Sequence, residues 1–64
     1  MMNLKDRFRL TFIDLPLPER EKVAIVVGGK PLTWNVLRLE VEAGTKIAEE
    51  ALEILNDLKL LKER

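Results

Sequence analysis

Leu32-Thr33-Trp34-Asn35-Val36-Leu37-Arg38-Leu39-Glu40-Val41-Glu42-Ala43 decides the fold, because two periodicities compete within it. Leu37, Leu39, Val41 and Ala43 alternate without exception against Arg38, Glu40 and Glu42. That is the period of a half-buried strand, with Trp34 and Val36 on the other parity if a bulge falls near Val36. As a helix, the segment would start from Thr33 as N-cap and carry Trp34, Leu37 and Val41 on one face, but Glu40 interrupts the apolar stripe. The unbroken alternation favours the strand.

Upstream, Gly28-Gly29 supplies the positive φ angles of a tight hairpin turn, and Lys30-Pro31 completes the reversal. Before it, Val23-Ala24-Ile25-Val26-Val27 is apolar on both parities and β-branched, the pattern of a strand covered on both faces. From Arg7 to Leu15, Phe8, Leu10 and Phe12 alternate with Arg7, Arg9 and Thr11, which predicts another strand. Pro16 and Pro18 end it in a short loop through Glu21, since neither offers a backbone donor.

Downstream, Gly44 and Thr45 form a junction, with the threonine placed to cap a helix from Lys46 to about Lys62. Ile47, Ala51, Ile54, Leu58 and Leu61 recur at steps of four and three, beside a second row of Ala48, Leu52 and Leu55. Glu49 and Glu50 near the start, and Lys59, Lys62 and Arg64 near the end, suit the helix dipole.

The expected fold is therefore α+β, a single domain over residues 1–64. It comprises a three-stranded antiparallel sheet (Arg7 to Leu15, Lys22 to Val27, Leu32 to Ala43) followed by one C-terminal helix, βββα. The alternative is a β-hairpin followed by two helices, ββαα. Strand, Gly28-Gly29 turn, strand, Ala43-Gly44-Thr45 and helix together resemble the first half of a β-grasp domain, such as a sulfur-carrier protein. Those carriers act through a C-terminal Gly-Gly. This sequence has Lys62-Glu63-Arg64 there, so the resemblance implies no carrier activity.

Composition narrows function by exclusion. With no Ser, Cys or His, the common nucleophiles, the usual general base and thiol or imidazole metal sites are absent. The acids Glu40, Glu42, Glu49, Glu50 and Glu53 read as solvated surface, and no EF-hand spacing occurs. Gly28-Gly29-Lys30 lacks the Walker spacing and is followed by Pro31, so it reads as a turn. No enzyme activity and no cofactor are expected. The longest apolar run, Val23 to Val27, falls far short of the roughly 20 residues of a membrane span. The charged start of the chain resembles no signal peptide, which makes a cytoplasmic, non-membrane protein the expectation. Abundant Glu, Lys, Arg, Leu, Ile and Val, with no Gln, give the composition a thermophile-like cast.

A chain of 64 residues buries only about 60% of its unfolded surface, so its core is thin. Self-association is the expected remedy, making the chain a structural or regulatory interaction module. Ile47, Ile54, Leu58 and Leu61 are the candidate interface of a homodimer. The competing readings are an accessory subunit bound to another protein and a small dimeric DNA-binding regulator. In the latter, Lys5, Arg7 and Arg9 would follow phosphates from one strand face. The zero net charge gives nucleic-acid binding no wider field, and Glu40 and Glu42 could instead pair with that basic face. Trp34 is expected in the core.

Overall fold

The computed structural model describes residues 3–62. Its order is α1 (Leu4–Ile13), α2 (Leu17–Arg20), β1 (Val23–Val27), β2 (Lys30–Thr33), α3 (Trp34–Ala43) and α4 (Lys46–Asp57). Among the described residues the only sheet is two-stranded and antiparallel. The three-stranded βββα arrangement is therefore corrected at both ends of the hairpin, and the likeness to a β-grasp half-domain goes with it, because its second strand ends at Thr33.

The N-terminal correction has a local cause. Leu4, Phe8, Thr11 and Phe12 share one face at helical spacing as readily as Phe8, Leu10 and Phe12 alternate, so the apolar pattern alone does not choose. Capping decides: the Asn3 side chain accepts from the Asp6 backbone N–H at 2.8 Å, and Asp6 places an acid in the positive first turn. Phe8, Thr11 and Phe12 are then buried together. The expected loop after Pro16 contains one helical turn, α2, with a proline in its first positions, where the missing donor costs nothing.

The hairpin turns through Gly28 and Gly29, both at positive φ (57° and 79°), as a two-residue primed turn demands. Register runs Val27↔Lys30, Val26↔Pro31 and Ile25↔Leu32, and then slips at Ala24, so the bulge lies in β1 and not near Val36. Ile25, Val27 and Leu32 face inward. Val23 and Val26 stand exposed, so the strand is covered on one face only, against the two expected from its all-apolar sequence.

At Thr33 the chain changes from strand to helix without a loop. The Thr33 hydroxyl accepts from Val36 N–H at 3.1 Å, and Trp34 N–H returns to Lys22 O at 3.2 Å, tying the open end of the hairpin to the first turn of α3. Glu40, the residue that breaks the apolar stripe, is explained by its partner: its carboxylate accepts from the Thr45 hydroxyl at 2.7 Å. Thr45 in turn caps α4 by accepting from Ala48 N–H, so one side chain joins both helices across Gly44.

Leu37, Val41, Ala51 and Leu55 are sealed at the centre, with Phe8, Phe12, Ile25, Val27, Leu32, Ala48 and Leu52 around them. Trp34 packs on this cluster half-buried and stacks on Phe8 at 5.9 Å between ring centroids. The C-terminal helix is shorter than expected. It stops at Asp57, and Lys59 turns the chain with φ 60°, while Leu60 N–H bonds Leu55 O and Lys59 N–H bonds Asn56 O. This is a Schellman stop. Leu61 swings back into the core at 4% exposure. There α1 clasps the tail: Arg7 donates to the carbonyls of Lys62 (2.8 Å) and Leu61 (3.4 Å), Thr11 accepts from Lys62 N–H (2.8 Å), and the Lys62 ammonium pairs with Asp14.

The stops of α3 and α4 use the same left-handed position with opposite choices, Gly44 and Lys59. Lys59→Gly should raise unfolding stability by about 1 kcal/mol, and Gly44→Ala should lower it by a similar amount, since open space surrounds Gly44 and only backbone strain is added. Urea denaturation at unchanged m-value reads both.

Candidate interaction surfaces

α1 and α3 cross with a gap between them. The four-residue spacing of Phe8 and Phe12 stacks their rings at 6.1 Å as its floor, Ile13 stands on its rim at 64% exposure, and Arg9, Arg38 and Glu42 complete a groove of about 220 Å³. Two guanidiniums lie on the Phe12 ring, Arg20 at 4.4 Å and Arg38 at 5.6 Å from its centroid. The Arg20 Nε is sealed from water without an acceptor, and its Nη2 makes one long bond to Ile13 O at 3.4 Å.

Across the groove Arg9 grips Glu42 with two bonds, Nε to Oε2 at 3.0 Å and Nη2 to Oε1 at 3.1 Å, and reaches Asp6 at 3.3 Å. Both partners are about half exposed, so the pair adds little stability, but its fork geometry fixes the two side chains. The hydrogen bonds from Arg9 hold the Glu42 carboxyl below its ordinary value, against the opposing effect of desolvation and with the charges of Arg9, Lys5 and Arg38 adding to the lowering; Glu42 raises Arg9 in return.

Lys5, Arg7 and Arg9 were expected on one strand face. On α1 they separate: Arg7 is committed to the C-terminal tail, Arg9 to Glu42 and Asp6, and Lys5 lies half-buried near Glu42. Of the alternative in which Glu40 and Glu42 pair with that basic face across strands, one contact forms, Arg9 with Glu42, and it joins two helices. The interface candidates also divide. Leu61 lies in the core of its own chain, Ile47 packs half-buried against that core, and Ile54 (37%) and Leu58 (59%) stand exposed on one flank of α4, with Leu60 exposed beyond the helix stop. The acids on the outer side of α4 form no ion pair within 4.0 Å among the described residues, and no three carboxylates there gather closely enough to hold a metal. No helix of the described residues is long and apolar enough to cross a membrane.

The groove residues Phe12, Ile13 and Arg38 were not singled out from sequence as a site. Their signal was the four-residue step Phe8-Phe12 with Arg9-Ile13 beside it, which becomes a surface only once the segment is helical.

Because the Glu42 pKa is lowered in the fold, its contribution is full above the ordinary carboxylate range and disappears as pH falls through the lowered value. An NMR titration should place the Glu42 midpoint below the ordinary carboxylate range, and Arg9→Ala should return it to that range. A Glu42 midpoint unmoved by Arg9→Ala would show that the pair does not form.

Family profiles, curated protein sequences and solved structures all return no match to this chain.

Proposed function

We propose that this chain is a small protein–protein interaction module with no catalysis of its own, and that it pairs with a second copy of itself. One observation carries the reading: after every element has packed its inner side, Ile54 and Leu58 remain exposed four residues apart on one flank of α4, with Leu60 just beyond. Large aliphatic side chains aligned on a helix flank are hydrated at a cost that a partner surface removes. The small core supports the same reading, since a chain of this length gains proportionately more from an added interface than a large domain does.

The interface keeps Ile54 and Leu58, with Ile47 at its inner margin. Leu61 drops out because its side chain is already covered within the chain. The basic residues favour no nucleic-acid role, since the ion pairs and tail bonds of Arg7 and Arg9 would have to break before either met a phosphate. A different protein as partner would use the same exposed flank.

Sedimentation equilibrium of the purified chain over a wide concentration range should give a reversible dimer. Leu58→Asp should raise the dissociation constant by about a hundredfold or more, the scale of an unpaired charge in an apolar contact, while leaving the helical circular dichroism unchanged. A wild-type chain that stays monomeric across the range would overturn the reading.

A further inference from the structure

The two surfaces described above are opposite in sign and alike in apolar content. The groove between α1 and α3 has a phenylalanine floor and the exposed Ile13 at its rim, and the carboxylate of Glu42 inside it is already held by Arg9. Arg38, over the Phe12 ring, has no carboxylate within 4.0 Å among the described residues. The groove therefore offers an apolar trough beside a guanidinium that forms no ion pair among the described residues.

α4 presents the counterpart. Glu50, Ile54 and Leu58 follow one another at four-residue steps, and Asp57 adjoins the same row three residues after Ile54, so carboxylates border the exposed aliphatic pair. Across the helix, four acids stand against the single Lys46. Asp57 is the telling member. It ends α4, where the helix dipole disfavours an acid, and among the described residues no basic side chain lies within ion-pair distance. Nothing among the described residues accounts for a carboxylate at that place, and a cation from a second copy would.

Within one chain the surfaces do not meet. α4 already touches the rest of the fold through Ala48, Ala51, Leu52 and Leu55, while Ile54, Leu58 and Ile13 all remain in water. We infer that the groove between α1 and α3 is the receptor for the Ile54–Leu58 flank of α4 from a second copy, with Arg38 facing the acids that border that flank. The inference rests on the proposed self-association and names its counter-surface. Each copy carries both a flank and a groove, so a two-fold axis that sets each flank on the other copy's groove satisfies the contact twice and closes the assembly. The opposite signs fix the register of the helix in the groove and disfavour the like-on-like alternative, α4 against α4, which would oppose the two acidic faces.

A charge swap followed by sedimentation equilibrium tests this on the full chain. Arg38→Glu and Asp57→Arg should each raise the dimer dissociation constant by about tenfold or more, and the double variant, which re-creates opposite charges in exchanged positions, should recover most of the loss. Asp57→Arg removes an acid from the negative end of α4, so its thermal midpoint should hold or rise, and weakened association in that variant cannot be ascribed to a lost fold. A dimer that ignores both single charge changes yet dissociates with Leu58→Asp would overturn the groove as receptor while leaving self-association standing. Failure of the double variant to recover would equally overturn the pairing, and a monomeric wild type would overturn both inferences.

Discussion

The stacking of Phe8 against Phe12 and Trp34 is the contact on which the other packing depends. α1 packs on both α3 and α4 and carries Phe8 to near-complete burial in the same core as Leu37, Val41 and Leu55. Only a helical α1 can do this while also presenting Arg7 and Thr11 to the tail, because residues three and four apart point together on a helix and those two apart do so on a strand. The clasp of the tail follows from the same placement. Thr11 bonds back to Arg7 O and forward to Lys62 N–H, so its buried hydroxyl is satisfied as both donor and acceptor, and Leu61 is delivered to the core beneath it.

The legible parts of the sequence were those where one residue type has one physical use. Gly28-Gly29 before Pro31 could hardly be other than a primed turn, and Gly44-Thr45 could hardly be other than a stop followed by a cap, which is how both are found. The β-branched run became a strand and the segment after Thr45 a helix for the same reason. Leu4 to Ile13 and Trp34 to Ala43 were ambiguous because leucines and charged residues interleave there in a way that satisfies both periods. Each carries a side-chain cap, from Asn3 or Thr33, that adds to the packing of its inner face and whose weight does not show in a hydrophobic pattern. Glu40 argued for a strand only while its partner, Thr45, was unknown.

The site was less legible than the fold, since it depends on which helix faces turn out. Leu61 fits the apolar row of α4 by spacing, but a left-handed lysine at position 59 takes it off the helix and into the core. A period of two puts the basic residues of α1 in one patch, whereas the helical period divides them, Arg7 to the tail and Arg9 to Glu42 and Asp6. Val23 and Val26 show the converse: a sequence apolar on both parities implies two covered faces, and this chain has material to cover one.

A net charge of zero conceals an uneven distribution. The four acids of α4 form no ion pair among the described residues, while Arg20 and Arg38 both lie on the Phe12 ring. The end of α4 adds a second discord, for within three residues it sets an acid at the negative pole of the helix and a lysine in a backbone region that favours glycine. Each discord is removable by a single locally available substitution, Asp57 to a base and Lys59 to glycine. Elsewhere local preference and global fold agree: the caps of α1, α3 and α4, the primed turn and the inward-facing alternation of the hairpin all point the same way. Where agreement is general, the place that departs from it marks a demand other than folding. Here that place borders the exposed flank of α4, and the proposed contact gives a physical reason for the departure.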